Sequence, residues 1–193
     1  MKTLIVNGSP KLHGDTAALV DAFTQQLKGE VKIITPRDNI APCNDCRRCW
    51  QRPGCAIEDG MQAVYRYLES CDAVVLASPI WFSALSGPTL TMASRLQTYY
   101  AARRFRGAPP LRKKRGVLIL AGAEKGTETA PAATARTVLR LMGADRESLQ
   151  TVFALDTDNL PASRDTAALE QARAAAEALN AEMTGGCPLS WRL

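Results

Sequence analysis

Histidine is almost absent: the 193-residue sequence has one, His13, and only 6% of its residues are aromatic. No apolar run approaches the roughly 18 residues a membrane-spanning helix needs, so no membrane segment is expected. The first apolar stretch, Lys2 to Val6, is short and breaks at Gly8-Ser9-Pro10, which does not read as a secretory leader. Neither GxGxxG nor a Walker sequence occurs, which removes the dinucleotide and P-loop fingerprints. Charged residues are 22% and apolar residues 46%, the balance of a folded domain rather than a disordered, collagen-like or disulfide-knotted chain. A single domain over residues 1–193 is expected, in the cytoplasm, where thiols stay reduced.

What is present is unevenly spread. Of six cysteines, Cys43, Cys46, Cys49 and Cys55 crowd one segment, while Cys71 and Cys187 stand alone. Cys71 opens a strand and reads as a buried small hydrophobe; Cys187 follows Gly185-Gly186 and has no readable role. The net charge of +5 is concentrated at Arg103, Arg104, Arg106, Arg112, Lys113, Lys114 and Arg115. This run is either a solvated loop face or a docking patch for an acidic partner or phosphorylated cofactor. Nucleic acid is not expected, because interleaved aromatics and a binding motif are missing.

Strand and helix signals alternate five times. Short apolar runs predict strands at Lys2–Val6, Val31–Ile34, Ala73–Ala77, Gly116–Ala121 and Leu149–Leu155. Helical periodicity predicts helices at Asp15–Lys28, from an Asp59 cap through Leu68, at Pro88–Tyr100, Pro131–Met142 and Ser163–Met183. Residues 37–58 lack periodicity and form a long cysteine-rich loop, which in a compact domain is usually functional. Continuous apolar strands joined by helices imply a parallel sheet covered on both faces. The expected fold is therefore α/β: a flavodoxin-like three-layer sandwich with a five-stranded parallel sheet in the order 2-1-3-4-5. Ligands of such a sheet bind beyond the carboxyl ends of the strands near the switch between the first and third.

The segment Asn7–Thr16 follows the first strand and opens a helix. It offers the Ser9 and Thr16 hydroxyls, the Lys11 cation and helix N-terminal amides, which together suit a phosphate. Asp15 either caps the helix or repels the phosphate, and His13 is an exposed loop residue or a phosphate donor. The spacing Cys43-x2-Cys46-x2-Cys49-x5-Cys55 is similar to the ferredoxin C-x2-C-x2-C run, with Cys55 as a local fourth ligand. Zinc, which more often takes two separated CxxC knuckles, and free or reversibly oxidised thiols are the alternatives.

Gly8-Ser9-Pro10-Lys11 with Gly14-Asp15-Thr16 and Leu19 resembles the phosphate loop of the NAD(P)H-dependent FMN reductase branch of flavodoxin-like proteins. Ser78-Pro79-Ile80-Trp81-Phe82 is similar to that family's second flavin segment. Pro42-Cys43, the cysteine cluster and Glu58-Asp59-Gly60-Met61 resemble its iron-sulfur flavoprotein members. The likeness is good over residues 1–100, and departs from the family at Asp15, Leu90 and Ser94. It implies an FMN phosphate surrounded by Ser9, Lys11, Asp15, Thr16 and Ala17. It implies an isoalloxazine ring along Pro79, Ile80, Trp81, Phe82 and Ser83, with Gly122 and Ala123 at the other edge. It also implies a [4Fe-4S] cluster on Cys43, Cys46, Cys49 and Cys55, with Trp50 as a shield. Arg47, Arg48 and Arg52 would stabilise such an anionic cluster and raise its potential. Finally, it implies a homodimer or homotetramer.

Three functions follow as expectations. The first is an electron-transfer flavoprotein passing electrons from a ferredoxin-like or NAD(P)H donor to a small acceptor. The second is an NAD(P)H-dependent FMN or quinone reductase whose cysteine loop is structural. The third is a zinc- or thiol-based redox sensor without flavin. No side chain need act as acid or base, so no catalytic residue is named.

Overall fold

The structure is a computed structural model and describes residues 1–184. Cys187 and the Gly185-Gly186 helix stop lie outside the described residues. Five long strands, β1 (Lys2–Asn7), β2 (Glu30–Ile34), β3 (Ala73–Trp81), β5 (Lys114–Gly122) and β6 (Ala144–Leu155), form a parallel sheet in the order β2-β1-β3-β5-β6. The five-strand expectation needs correction by one strand. A short β4 (Ala84–Leu85) runs antiparallel to the end of β3, making six. It forms because β3 does not stop at Ala77 but continues to Trp81 and folds back on itself.

Side chains alternate across the sheet, as its pleat requires. Leu4, Val6, Val74, Leu76, Leu118 and Leu120 point to one face, where α3 (Met61–Ser70) and α6 (Thr129–Leu141) cover them. Ile5, Val75, Val117, Ile119 and Val152 point to the other, under α1 (Asp15–Gln26) and α7 (Thr166–Thr184). In α7 the buried side of the helix is Ala168, Ala172, Ala175, Ala176 and Leu179. These small residues at helical spacing let α7 lie close against α1. Cys71 is fully buried, in keeping with its reading as a small hydrophobe.

The helix expected over Pro88–Tyr100 is two helices, α4 (Gly87–Ser94) and α5 (Gln97–Arg106). The break has an identifiable cause. The Tyr65 hydroxyl donates to the Arg95 carbonyl at 2.8 Å, and the Ser94 hydroxyl donates back to Thr91 O at 2.7 Å. Three-residue bonds, Arg95 N to Met92 O and Leu96 N to Ala93 O, tighten the turn there. The long loop also contains a single helical turn, α2 (Arg48–Gln51), which lies against α5.

Candidate functional site

The strand register aligns Asn7 with Ala77, Pro79 with Ala121 and Gly122 with Leu155. The carboxyl ends of β1, β3, β5 and β6 therefore share one edge of the sheet. The loop after β1 is locked to the loop after β3. Gly8 N donates to Ala77 O at 2.8 Å, and the Ser86 hydroxyl donates to Gly8 O at 2.8 Å. Ser78, Ser86 and Thr89 join their hydroxyls in a buried network at 2.8–2.9 Å between Thr89 and its two partners. Position 8 has no room for a side chain, since a Cβ there would stand 1.7 Å from Thr89 Oγ1.

Past Gly8 the chain turns on local bonds. Ser9 N donates to Asn7 Oδ1 at 3.0 Å, and Lys11 N donates to Ser9 Oγ at 3.3 Å. The Lys11 stem lies over Gly14, which is the N-cap of α1 and has extended backbone. Among the described residues no side chain caps α1. Asp15, expected either to cap or to repel, does not cap. Its Oδ1 accepts from the Ala162 amide at 2.7 Å, across to the segment after β6. The buried Thr16 and Ala17 place their backbone amides in the uncapped first turn. Lys11, His13, Gly14, Asp15, Ala17 and Thr157 are among the residues lining a cleft of ≈ 620 Å³ there. The loop after β6 is a part that sequence reasoning missed. Asp156 N and Thr157 N both donate to Gly122 O, at 2.9 and 3.0 Å.

Pro79 and Ile80 are half-buried strand residues, and Ile80 Cδ1 would meet a Cβ at Gly122 at 3.0 Å. The structure thus brings Pro79 beside Ala121 and Ile80 beside Gly122, with Ala123 next in the chain. Trp81 is 43% exposed and Phe82 fully so, at 103%. Phe82 and Ser83 both have φ of +52° and form the two-residue turn between β3 and β4. Asparagine and glycine normally fill such turns, and a bulky residue at positive φ is strained. Strain of this kind concentrates at functional sites.

The cysteine loop is fastened at both stems by one side chain. Arg95 is fully buried, and donates to Ala41 O at 2.9 Å, Ile57 O at 3.1 Å and Asp59 Oδ2 at 2.6 Å. Burial would raise the Asp59 pKa, but the Arg95 hydrogen bond and the Ala41 and Met61 amides outweigh it and hold the carboxyl below its ordinary value. The Cys43 amide donates to Ser94 Oγ at 2.9 Å, and Arg106 Nε donates to Cys49 O at 3.0 Å. Trp50 stacks on Phe105 at 4.2 Å, and the Arg47 guanidinium lies over the Trp50 ring, 4.9 Å from its centroid. In the sequence Ser94 stands out only as a departure from the family pattern, beside the arginine of that pattern at Arg95, and neither residue points to the cysteine loop.

A depressed carboxyl pKa contributes stability that is present above the unfolded value, near 3.8, and lost as pH falls through the folded one. Asp72, which accepts from Arg112, is shifted the same way: burial raises it, and the Arg112 and Lys2 contacts lower it further. Urea unfolding is therefore expected to give a constant stability near neutrality and a falling one below about pH 4. Asp59→Asn should flatten that fall; an unchanged acid limb would show that Asp59 is not responsible.

Cys43, Cys46, Cys49 and Cys55 line one cleft of ≈ 350 Å³ with Trp50, Ser94 and Arg95. All four are free thiols. Burial pushes the Cys49 thiol up, and the facing Cys43, Cys46 and Cys55 sulfurs push it further against its own backbone hydrogen bond. Among the described residues, no three ligand-type side chains close into a metal-binding group. The donor set nonetheless suits a thiolate-ligated centre, because four cysteines spaced closely in sequence line one cleft.

The residues of the basic run are held differently. Arg112 donates to Ser70 O, Cys71 O and Asp72, and Lys114 is buried with its Nζ donating to Arg112 O at 3.1 Å. Arg103 and Arg104 remain exposed, and line a cleft with Tyr100 and Arg140. Three of the seven basic residues, Arg106, Arg112 and Lys114, thus hold protein carbonyls.

Among the described residues, no helix is long and apolar enough to cross a membrane. An iron-sulfur flavoprotein of Archaeoglobus fulgidus is 29% identical over 136 residues, which are 67% of this chain and 59% of that protein. Another, from Methanocaldococcus jannaschii, is 27% identical over 135 residues, 67% of each chain. The chain thus matches little more than half the length of the first relative. An NAD(P)H:quinone oxidoreductase from Methanothermobacter marburgensis has the same fold, with a TM-score of 0.73 over 94% of this chain and 97% of that one, at 17% identity. The profile of the family described as NADPH-dependent FMN reductase matches residues 1–159. The chain, flavodoxin-like in fold, belongs to that family.

Proposed function

We propose that the protein is an FMN-dependent NAD(P)H oxidoreductase of the iron-sulfur flavoprotein type. It passes electrons from NAD(P)H or a ferredoxin-like acidic carrier to a small acceptor. The carrying observation is the uncapped start of α1, held beside Lys11 by a loop locked onto the end of β3. A helix start with unpaired amides and a cation is a ready phosphate site. Ser9, Lys11, Thr16 and Ala17 would take the FMN phosphate. The Asp15 carboxylate turns to the Ala162 amide, which leaves the first amides of α1 uncapped for the phosphate.

Pro79, Ile80, Trp81, Phe82 and Ser83 would wall the flavin ring, with Gly122 and Ala123 at its far edge. Bound FMN supplies one- and two-electron chemistry, whereas an iron-sulfur centre passes single electrons. The residues of the chain bind and orient: the hydroxyl network fixes the distance between the two loops, and the strained Phe82 turn presents an aromatic surface. The nicotinamide needs no pocket of its own if it stacks on the exposed ring face. Exposed Leu12, Trp81 and Phe82 at this edge suit a second copy of the chain, as a homodimer or homotetramer.

Cys43, Cys46, Cys49 and Cys55 would hold a [4Fe-4S] cluster. Support comes from the shared cleft and from the relatives being iron-sulfur flavoproteins. A second reading keeps the flavin without the cluster. The absence of a closed ligand group among the described residues favours it.

Anaerobic purification with an absorption spectrum and iron, sulfide and zinc assays decides between them. Flavin with iron and sulfide is expected; flavin alone supports the second reading, and zinc without flavin the sensor. Cys46→Ser is expected to abolish bound iron and leave flavin binding within about twofold, because the two sites use different loops. Iron retained at full stoichiometry would remove Cys46 from the ligand set.

A further inference from the structure

Arg95 is more fully buried than a mere clamp requires, and one of its donors is unused. Its side chain has no solvent exposure, and both terminal nitrogens donate to oxygen: Nη1 to Ala41 O and Asp59, Nη2 to Ile57 O. Nε is buried without a hydrogen-bond partner among the described residues. A charged donor left unsatisfied in the interior is costly, so such a group calls for an acceptor. Arg95 also lines the cleft that holds the four cysteines. Cys55 lines the same cleft, two residues from the Ile57 carbonyl that Nη2 already holds, and its thiol and the guanidinium interact electrostatically. Three other arginines at the loop, two within it and one from α5, are placed differently. Arg48 Nη1 donates to Cys55 O, Arg106 Nε donates to Cys49 O, and Arg47 is exposed against Asp45 and Trp50.

We infer that the Nε–H of Arg95 donates to the sulfur of Cys55 when the four cysteines hold their cluster, so that Arg95 sets the reduction potential of that centre. The inference rests on the cluster reading proposed above. A hydrogen bond to a ligand sulfur withdraws charge from the centre, and a buried cation beside it adds to this. Both favour the reduced, more negative state and raise the potential. Burial makes the effect larger than an exposed arginine could produce, because water does not screen it. Arg95 therefore has two roles: it pins the stems of the loop through its terminal nitrogens, and tunes the centre through Nε.

The test uses the anaerobically purified protein with its iron centre reduced, labelled with 15N in arginine only. Pulsed electron paramagnetic resonance of the wild-type protein is expected to show a 15N coupling from one arginine. That coupling should vanish in Arg95→Lys and persist in Arg48→Lys. Arg95→Lys keeps the charge and loses Nε. At a fixed potential its reduced-to-oxidised ratio should fall about tenfold, which is about 59 mV for a one-electron couple.

Should Arg95→Lys fail to fold, the wild-type coupling and its survival in Arg48→Lys and Arg106→Lys still assign the donor. A reduced cluster without arginine coupling, or with an unchanged potential in a folded Arg95→Lys, overturns the inference and leaves the cluster intact. A flavin-containing protein that binds no iron or sulfide after reconstitution overturns the cluster reading and this inference with it. The iron assay separates the two failures.

Discussion

Asp59→Ala is expected to lower the unfolding free energy by about 3–5 kcal/mol, because it strands a buried guanidinium without its anion. The side chains of Arg95 and Asp59 are 0% and 9% exposed and meet at 2.6 Å, so water cannot take the place of the missing carboxylate. The carboxylate does more than neutralise a charge. It accepts from the Ala41 amide, and Oδ1 accepts from Met61 N at the start of α3. Losing it loosens the loop stem and the helix start together. Urea unfolding followed by far-ultraviolet circular dichroism measures the change, and a loss under 1 kcal/mol would show that the pair does not hold the loop. The double variant Asp59→Leu with Arg95→Met should recover part of the loss, since replacing a buried ion pair whole is milder than breaking it.

Gly8→Ala is the second large effect. The added Cβ would fall 1.7 Å from Thr89 Oγ1 and 3.0 Å from Thr89 Cα, so rotation of one hydroxyl cannot make room. Either the β1 loop lifts from α4 or the buried Ser78–Ser86–Thr89 network breaks. Overpacking of this kind costs about 1–3 kcal/mol. If the loop takes the strain, FMN affinity falls by about 5- to 150-fold, at about 1.4 kcal/mol per decade. Isothermal titration with FMN on the folded variant reads the affinity and thermal unfolding reads the stability. An unchanged value in both would mean that the two loops are not fixed to each other.

Much of the scaffold is legible in the sequence because its signals are local. Alternating apolar strands and amphipathic helices declare a covered parallel sheet, and the loop after Val6 announces itself by its glycines, hydroxyls and lysine. What escapes depends on long-range contact. Asp15 reads as a helix cap or as a carboxylate facing the phosphate, but its partner is an amide 147 residues away. The extension of β3 past the apolar run to Trp81 is stabilised by the returning Ala84 and Leu85, which are too short to read as a strand. The break between α4 and α5 comes from Tyr65 reaching across from another helix.

A few of the hidden features did carry a signal. Ser86 followed by Gly87-Pro88-Thr89 is a helix-start sequence, and the Ser86 hydroxyl indeed caps α4 by accepting from Thr89 N at 3.4 Å. The division of the basic run into buried Lys114, carbonyl-bound Arg112 and exposed Arg103 and Arg104 had no such signal. Charge counting treats the residues alike, and only the fold sorts them.

The proposed function stands on a phosphate gripped by the first turn of α1 and the Lys11 loop. Equilibrium titration of the same preparation with FMN and with riboflavin tests it directly, since the two ligands differ only in that group. Charge-assisted hydrogen bonds worth about 1.5–3 kcal/mol predict FMN binding roughly 10- to 150-fold tighter, at one equivalent per chain. Equal affinity for the two flavins, or no uptake of FMN at saturating concentration, would contradict the account.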